Sequence, residues 1–292
     1  MKSKILKLIY WADSPNFGDY LSPYVIGKLS GMEIRHKIAS LSWINLLKTI
    51  IGHPDEIKDL PNYVLPWEHN YLGIGSVLSY GNSRSEIWGS GFMNREDHFH
   101  GGKVYALRGE LSEKKIGREK CGVYGDPALL LPILFSPRTE NKYEIGIVPH
   151  WRETSFFQEK YRNKYHIIDL RTSDVEKVVS DICSCKFILS TSLHGIIVSH
   201  AYGIPAIWIK ESEIDTDGFK YWDYFSSVNI RFYSGYEQYD TILQSSNHIK
   251  EFFSSNTDIS LPQISINSIQ KNLIESAPFD IMEIWKEKES QL

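Results

Sequence analysis

The chain has 292 residues, of which 42% are hydrophobic, 23% charged and 13% aromatic, the balance of a soluble globular fold rather than of a disordered or fibrous one. A formal net charge of -4 argues against a general nucleic-acid binder, because neutralising phosphates takes a surplus of Lys and Arg on one face. The length suits one large domain or two of roughly 130 residues, and two are expected.

The N-terminus opens Met1-Lys2-Ser3-Lys4, and the apolar stretch behind it, Ile5 to Trp11, contains Lys7 and is too short for a signal-peptide core. No window approaches the roughly eighteen consecutive apolar residues of a membrane-spanning helix. A cytoplasmic protein is therefore expected, with at most peripheral contact at the inner face of a membrane. Short apolar runs then recur, several followed by glycine and a helical pattern, as in the strand-loop-helix units of an open parallel sheet. Strands are predicted at Ile5 to Tyr10, Tyr71 to Ile74, Glu86 to Trp88 and Val104 to Leu107. The polar tract Ser136 to Lys142, with Pro137 and Asn141, reads as a linker and divides the chain into residues 1–138 and 139–292.

Beyond it, strands are predicted at Ile145 to Val148, Ile167 to Leu170, Phe187 to Leu189 and Ala206 to Ile209. Asp174 to Cys185 places Val175, Val178, Val179 and Ile182 on one helical face, with Asp174 as N-cap. Leu193 to Tyr202 reads as another helix, closed by Gly203 and stopped by Pro205. After Tyr233 the pattern weakens: Ser245-Ser246-Asn247 and Ser254-Ser255-Asn256-Thr257 read as loops, and Ile281 to Glu287 as a final amphipathic helix. Cys121, Cys183 and Cys185 lack disulfide spacing, fit a reducing compartment and read as small core residues. No ligand cluster for zinc stands out.

Four strand ends could carry chemistry. In Phe187 to Gly195 a hydrophobic strand delivers Ser190, Thr191, Ser192 and His194 to a turn, with Gly195 just inside the following helix, whose first N–H groups suit an anion. His194 is either a site residue or a helix cap. Ile145 to Arg152 repeats the pattern with His150 and Arg152, and in an open parallel sheet both histidines reach the edge where ligands bind. Arg108 closes the strand Val104 to Leu107; its guanidinium suits a carboxylate or phosphate, or else makes a structural ion pair. In Asn16-Phe17-Gly18-Asp19, Gly18 permits close backbone approach, and Asp19 accepts a proton or caps the next helix. Gly73-Ile74-Gly75-Ser76 and Gly89-Ser90-Gly91 are further glycine strand ends, but Leu78 stands where a dinucleotide fingerprint needs its third glycine. Tyr124 to Pro132 reads as a structural turn. Serine-hydrolase, nucleotide-triphosphatase and metalloprotease motifs are absent from the sequence.

Taken in order, Asn16-Phe17-Gly18-Asp19, the glycine strand ends, Leu107-Arg108-Gly109, Gly125-Asp126-Pro127-Ala128, Pro149-His150 and Leu193-His194-Gly195 resemble the polysaccharide pyruvyl transferase family, over roughly residues 10 to 230. The resemblance implies an α/β fold of two Rossmann-like domains facing a cleft, as in GT-B glycosyltransferases. It implies transfer of a pyruvyl group from phosphoenolpyruvate to a sugar of a polysaccharide or lipid-linked glycan precursor, forming a ketal, in exopolysaccharide, capsule or cell-wall glycan synthesis. It implies phosphoenolpyruvate as donor substrate, with no cofactor and no metal.

Carried over residue by residue, Arg108 matches the arginine that holds the donor, and His194 matches the histidine at the strand-to-helix turn. Lys220 resembles a lysine following the next strand, with Lys210 as substitute. Ser192 stands where the family commonly has arginine, so either Arg152 or a lysine is expected to meet the donor's charge, or the donor differs. Ser190, Thr191, Ser192 and Gly195 complete the expected donor site; Asn16, Gly18, Gly75, Ser76 and Ser90 form the expected acceptor side. His194 is expected to assist at the phosphate or as general acid, and Asp19 or His150 to take the sugar proton. Trp151, Trp208, Tyr221 and Trp222 either stack on sugar faces or pack in the core. The competing readings are a nucleotide-sugar glycosyltransferase of the same architecture and a non-catalytic glycan-assembly protein.

Overall fold

A computed structural model describes residues 5–117, 120–138, 140–212, 214 and 216–289. The opening residues 1–4, and Thr139 within the expected linker, lie outside the described residues. The strands are β1 (Ile5–Ile9), β2 (Glu33–Lys37), β3 (Asn70–Leu72), β4 (Ser85–Trp88), β5 (Lys103–Ala106), β6 (Tyr143–Val148), β7 (His166–Ile167), β8 (Cys185–Ser190) and β9 (Ala206–Trp208). The first five form one sheet in the order β2-β1-β3-β4-β5, the others a second in the order β7-β6-β8-β9. Every pairing within the two sheets is parallel. The fold is mixed α/β, with helices α1 (Phe17–Ser30), α2 (Trp43–Gly52), α3 (Glu110–Ile116), α4 (Leu131–Leu134), α5 (Thr154–Tyr161), α6 (Val175–Cys183), α7 (Leu193–Ala201), α8 (Phe219–Ser227), α9 (Ser246–Ser255), α10 (Thr257–Ser260), α11 (Ile266–Glu275) and α12 (Glu283–Glu289).

The apolar runs become strands because a parallel strand covered on both faces reads as nearly continuous hydrophobic sequence. β2 escapes that reading. Glu33-Ile34-Arg35-His36-Lys37 forms an edge strand, where Glu33 and Arg35 reach solvent, Lys37 is buried with its ammonium on the Tyr63 carbonyl, and no apolar run is needed. α1 is set by its ends and its stripe: the Asn16 side chain accepts from Gly18 N–H at 3.2 Å, Gly31 closes the helix at φ 65°, and Phe17, Leu21, Val25 and Leu29 recur every four residues on the buried face. The N-cap is thus Asn16, not Asp19. Pro23 inside α1 has no N–H to offer the carbonyl of Asp19 one turn earlier.

Asp174 caps α6 as its sequence context predicts, accepting from Lys177 N–H at 3.0 Å. The two serine-rich segments after Tyr233 are not loops. Ser245 is the N-cap of α9, accepting from His248 N–H at 3.2 Å, and Ser254 to Thr257 spans the end of α9 and the start of α10. Serine and asparagine serve caps and loops alike, so composition alone does not separate the two.

One apolar core runs from Leu6 of β1 through the second sheet to Ile281, while Ile9, Leu72, Ile87, Leu107 and Phe219 belong to a smaller cluster. The C-terminal helices return to the first half of the chain: Trp88 Nε1 donates to Leu273 O at 2.9 Å, Gln270 Nε2 to Leu129 O at 2.7 Å and Trp285 Nε1 to Lys28 O at 2.7 Å. Between α7, α8 and α10, the buried ring of His200 spans Tyr224 Oη at 3.0 Å and Ser260 O at 3.1 Å. Among the described residues no helix is long and apolar enough to cross a membrane. The three cysteines are free, with Cys185 buried.

Leu273 is fully buried on α11 where that helix meets the first sheet. Leu273→Ala is expected to lower stability by about 2–5 kcal/mol, read as a drop in the urea midpoint at unchanged slope.

Candidate functional site

A cavity of about 600 Å³ opens where the C-terminal ends of β1, β3, β6 and β8 converge. This is the edge at which open parallel sheets bind ligands, because the loops there leave a crevice. Asn16, Gly18 and Asp19 arrive after β1, Gly75 and Ser76 after β3, His150 and Arg152 after β6, Ser192 and His194 after β8, and Lys220 from α8. Phe17 N–H donates to Leu170 O at 2.8 Å, a backbone bond joining the start of α1 to the chain after β7.

The turn between β8 and α7 is braced from within. The Ser190 hydroxyl lies 2.8 Å from the carbonyls of Val148 and Ser192 and accepts from Ser192 N–H at 3.0 Å. Thr191 Oγ1 accepts from His150 N–H at 2.7 Å and so ties the two histidine-bearing strand ends together. A Cβ on Gly195 would stand 2.4 Å from Ser190 Oγ and 2.7 Å from a Val148 methyl. Ser190 and Gly195 therefore shape the turn and do not line the cavity. Ser192 sits at the N-cap of α7, but its hydroxyl makes no capping hydrogen bond, so the N–H groups of the first turn are not closed off by their own cap.

His194 projects from this turn against the first half of the chain. A Cβ on Gly18 would come within 2.5 Å of its Nδ1, so only glycine lets the imidazole lie on the α1 backbone. On the other side, Nε2 faces Asp126 Oδ2 at 3.8 Å, and neither atom has a hydrogen-bond partner among the described residues. Asp126 is fully buried at the head of the turn Pro127–Leu130, where Oδ1 accepts from Ala128 N–H at 2.9 Å. The Tyr124 to Pro132 segment thus supplies the residue behind the histidine, and its role is more than that of a turn. The signal was the Asp itself, hidden because Asp before Pro is also an ordinary turn residue.

Burial decides the protonation states. It pushes the His194 imidazole down to about 3, helped by the positive charges of Arg108 and Lys220, so the ring is neutral near pH 7. Burial pushes Asp126 up to about 7 against the opposing Ala128 N–H and Arg108. Asp19 also rises to about 7, again mainly by burial and despite the Asn16 hydrogen bond of 2.8 Å and nearby Lys220. Near neutrality the cavity therefore holds a neutral base and a carboxyl that retains a proton for much of the time.

Arg108 lies beneath the cavity and does not line it. Its guanidinium is fully buried and pairs with Asp223 Oδ2 at 2.9 Å, while Nη1 donates to Ser76 Oγ at 2.7 Å. The structural ion pair left open by the sequence is formed, and Arg108 reaches the wall only through Ser76. Ser90 is likewise buried, donating to Gly75 O at 2.9 Å. Lys220 is brought to the cavity; Lys210 lies away from it, 4.0 Å from Glu237. Of the four aromatic residues, Trp151 lines this cavity, whereas Trp208 stacks on Tyr221 at 4.0 Å and lines a neighbouring one with Trp222. Trp11 and Tyr80, packed edge to face at 5.3 Å, are wall residues that no sequence motif flagged. Among the described residues no group of three or more His, Cys, Asp or Glu is arranged to hold a metal ion.

Comparison with known proteins agrees with the resemblance seen in the motifs. Residues 98–213 match the family model of polysaccharide pyruvyl transferase, a segment that contains Arg108, Asp126, His150, Ser192 and His194. An uncharacterized protein of Acanthamoeba polyphaga mimivirus is 29% identical over 192 residues, covering 61% of this chain and 67% of that protein. No solved structure matches.

Two expectations follow from the site's geometry. Gly18→Ala is expected to displace the His194 ring, seen as a changed imidazole proton shift in NMR spectra of a protein that still folds but is less stable by about 1–3 kcal/mol, the usual cost of overpacking. Asp126 supplies a stability signature. Below its ordinary value of 3.8 both folded and unfolded chains hold the proton; from there to about 7 only the folded chain does, so its contribution falls across that window and stays low above it. His194 and His200, lowered to about 3 and about 4, act in the opposite sense below 6.5. Asp126→Asn should therefore gain stability relative to wild type as pH rises from 5 to 8, measured as the difference in urea midpoints.

Proposed function

From the family match over residues 98–213, we propose that the chain transfers a pyruvyl group from phosphoenolpyruvate to a sugar of a polysaccharide or lipid-linked glycan precursor, forming a pyruvate ketal. The observation that carries this reading is the convergence, in one cavity, of Lys220, Arg152 and the start of α7 with two groups of complementary protonation, Asp19 and His194. The proposal includes a GT-B-like arrangement, with residues 1–138 and 139–292 as Rossmann-like halves around the two parallel sheets, acting on the cytoplasmic side.

Phosphoenolpyruvate brings a phosphate and a carboxylate, which call for cations and oriented N–H donors. Lys220, Arg152 and the first turn of α7 supply them, with Ser192 leaving room where a larger side chain would fill the turn. Asp19 gives its proton to the methylene carbon, and a sugar hydroxyl attacks the cationic carbon this creates. Neutral His194 takes that hydroxyl's proton and passes it to the departing phosphate. The second hydroxyl then attacks the same carbon, and its proton returns to Asp19. One proton is consumed at the methyl group and one leaves with phosphate, so the two hydroxyl protons account for the balance. The general-acid role expected of His194 thus moves to Asp19, because burial keeps the ring neutral.

Mass spectrometry of reactions containing phosphoenolpyruvate and galactose, glucose or mannosamine acceptors should show pyruvyl addition with phosphate release. Asp19→Asn and His194→Ala should each lower turnover roughly a hundredfold or more, and Lys220→Ala should mainly raise KM for phosphoenolpyruvate. With Asp19 protonated below about 7, kcat/KM should decline above that pH. No product, together with nucleoside-diphosphate binding, would favour a nucleotide-sugar glycosyltransferase instead.

A further inference from the structure

Beside the first cavity lies a second of about 720 Å³, and the two share the wall formed by Asn94, Asp97 and Ile214. The second is the more acidic of the two, since Asp13, Asp19 and Asp97 in the first cavity are set against both Arg152 and Lys220. Glu96, Asp97, Glu153, Glu211 and Asp217 line it with one cation, Lys210. Most of these carboxylates have occupations: Asp97 Oδ2 accepts from Met93 and Asn94 N–H at 2.8 and 3.0 Å, Asp217 from Arg95 and Phe219 N–H at 3.0 and 2.9 Å, and Glu211 from the Tyr239 hydroxyl.

Glu153 differs. It is only 6% exposed, and Oε1 accepts from Ser212 N–H at 3.2 Å and from the Ser212 hydroxyl. Its Oε2 has no hydrogen-bond partner among the described residues. A buried carboxylate oxygen without a donor is costly, and the cavity it lines is where a donor would come from. Next to it, Gly218 adopts φ 89°, and a Cβ there would stand 3.1 Å from Trp222 and 3.3 Å from Trp208. Trp208 is largely buried and Arg95 lies over the Trp222 ring at 4.8 Å, so what the two indoles present to the cavity is a narrow apolar strip beside the carboxylates. Apolar ring surface next to hydrogen-bond acceptors suits a pyranose, which offers C–H groups and hydroxyl donors on different faces.

We infer that this second cavity is the acceptor subsite and selects uncharged or amino pyranosides over acidic ones, with Glu153 accepting from a sugar hydroxyl or ammonium. The inference rests on the pyruvyl-transfer reading, since the shared wall sets the acceptor beside the donor cavity. It moves the acceptor role away from Asn16, Gly18, Gly75 and Ser76, which line the donor side. The surplus of carboxylates repels a sugar acid as it repels the donor.

The test is saturation-transfer NMR on the full chain with methyl β-galactoside, methyl β-glucosaminide and methyl β-galacturonide, each with and without phosphoenolpyruvate. The first two should bind and remain bound when phosphoenolpyruvate is added, and the galacturonide should bind at least roughly tenfold more weakly. Glu153→Gln should weaken the galactoside roughly tenfold and leave phosphoenolpyruvate titrations by phosphorus NMR unchanged. Equal binding of the galacturonide, displacement of the galactoside by phosphoenolpyruvate, or unchanged galactoside binding by a folded Glu153→Gln protein would overturn the assignment. If that variant does not fold, the wild-type arms decide. Sugar binding without phosphoenolpyruvate binding would count against the pyruvyl reading and uphold the sugar site; the reverse result would remove the site alone.

Discussion

The buried ion pair between Arg108 and Asp223 is the constraint on which the rest of the site depends. Arg108 closes β5 in the first sheet, and Asp223 lies in α8, one turn beyond Lys220. Asp223 also accepts from Ser112 N–H and from the Ser112 hydroxyl, both at 2.7 Å, so each of its buried carboxylate oxygens has a donor on α3 or on Arg108. Such a pair contributes little net stability compared with a well-packed apolar contact, but leaving one partner unpaired costs about 3–5 kcal/mol. Its value is positional. It fixes α8 against the first half, and a Cβ on Gly109 would lie 1.7 Å from Asp223 O, so the backbones meet with no space for a side chain. Lys220 is thereby held over the cavity while Arg108 is fully used below it.

The same burial separates the chemistry of neighbouring groups. Asp19 and Asp126 are pushed up because carboxylates lose their water, and His194 is pushed down because an imidazolium would lose its own and would face two cations. Asp19, a residue type ordinarily ionised at neutral pH, keeps a proton for much of the time, and His194 stays neutral well below it, which provides the acid and base of the proposed reaction. Charge differs between the cavities too: Arg152, Lys220 and helix N–H groups offset Asp13 and Asp19 in one, whereas in the other Lys210 faces a surplus of carboxylates, with Asp97 on the wall between them.

Much of this was legible in the sequence. The apolar strands, the helix capped by Asp174 and the histidine turn follow from hydrophobic runs and local capping, which are short-range signals. What stayed hidden depends on long-range packing. β2 carries too many charges to read as a strand until its edge position is known. The serine caps of the C-terminal helices look like loops in isolation. Arg108 and Ser90 sit at strand ends that look identical to Ser192 and His194 in sequence, yet partners more than a dozen residues away turn them inward. Asp126 was seen only as part of a turn, since nothing local shows that His194 comes to rest before it. The family motifs fall in stretches that the fold brings to one cavity, and tertiary contacts separate wall residues from supports.

On the proposed reading, the phosphate of phosphoenolpyruvate binds at the start of α7 beside Lys220. A crystal structure with bound phosphoenolpyruvate tests it most directly. Phosphate density within hydrogen-bonding reach of Lys220 Nζ and the first N–H groups of α7, with the methylene carbon turned toward Asp19, is the predicted result. Phosphoenolpyruvate seated in the carboxylate-lined cavity, or with its methylene carbon facing away from Asp19, would contradict the account.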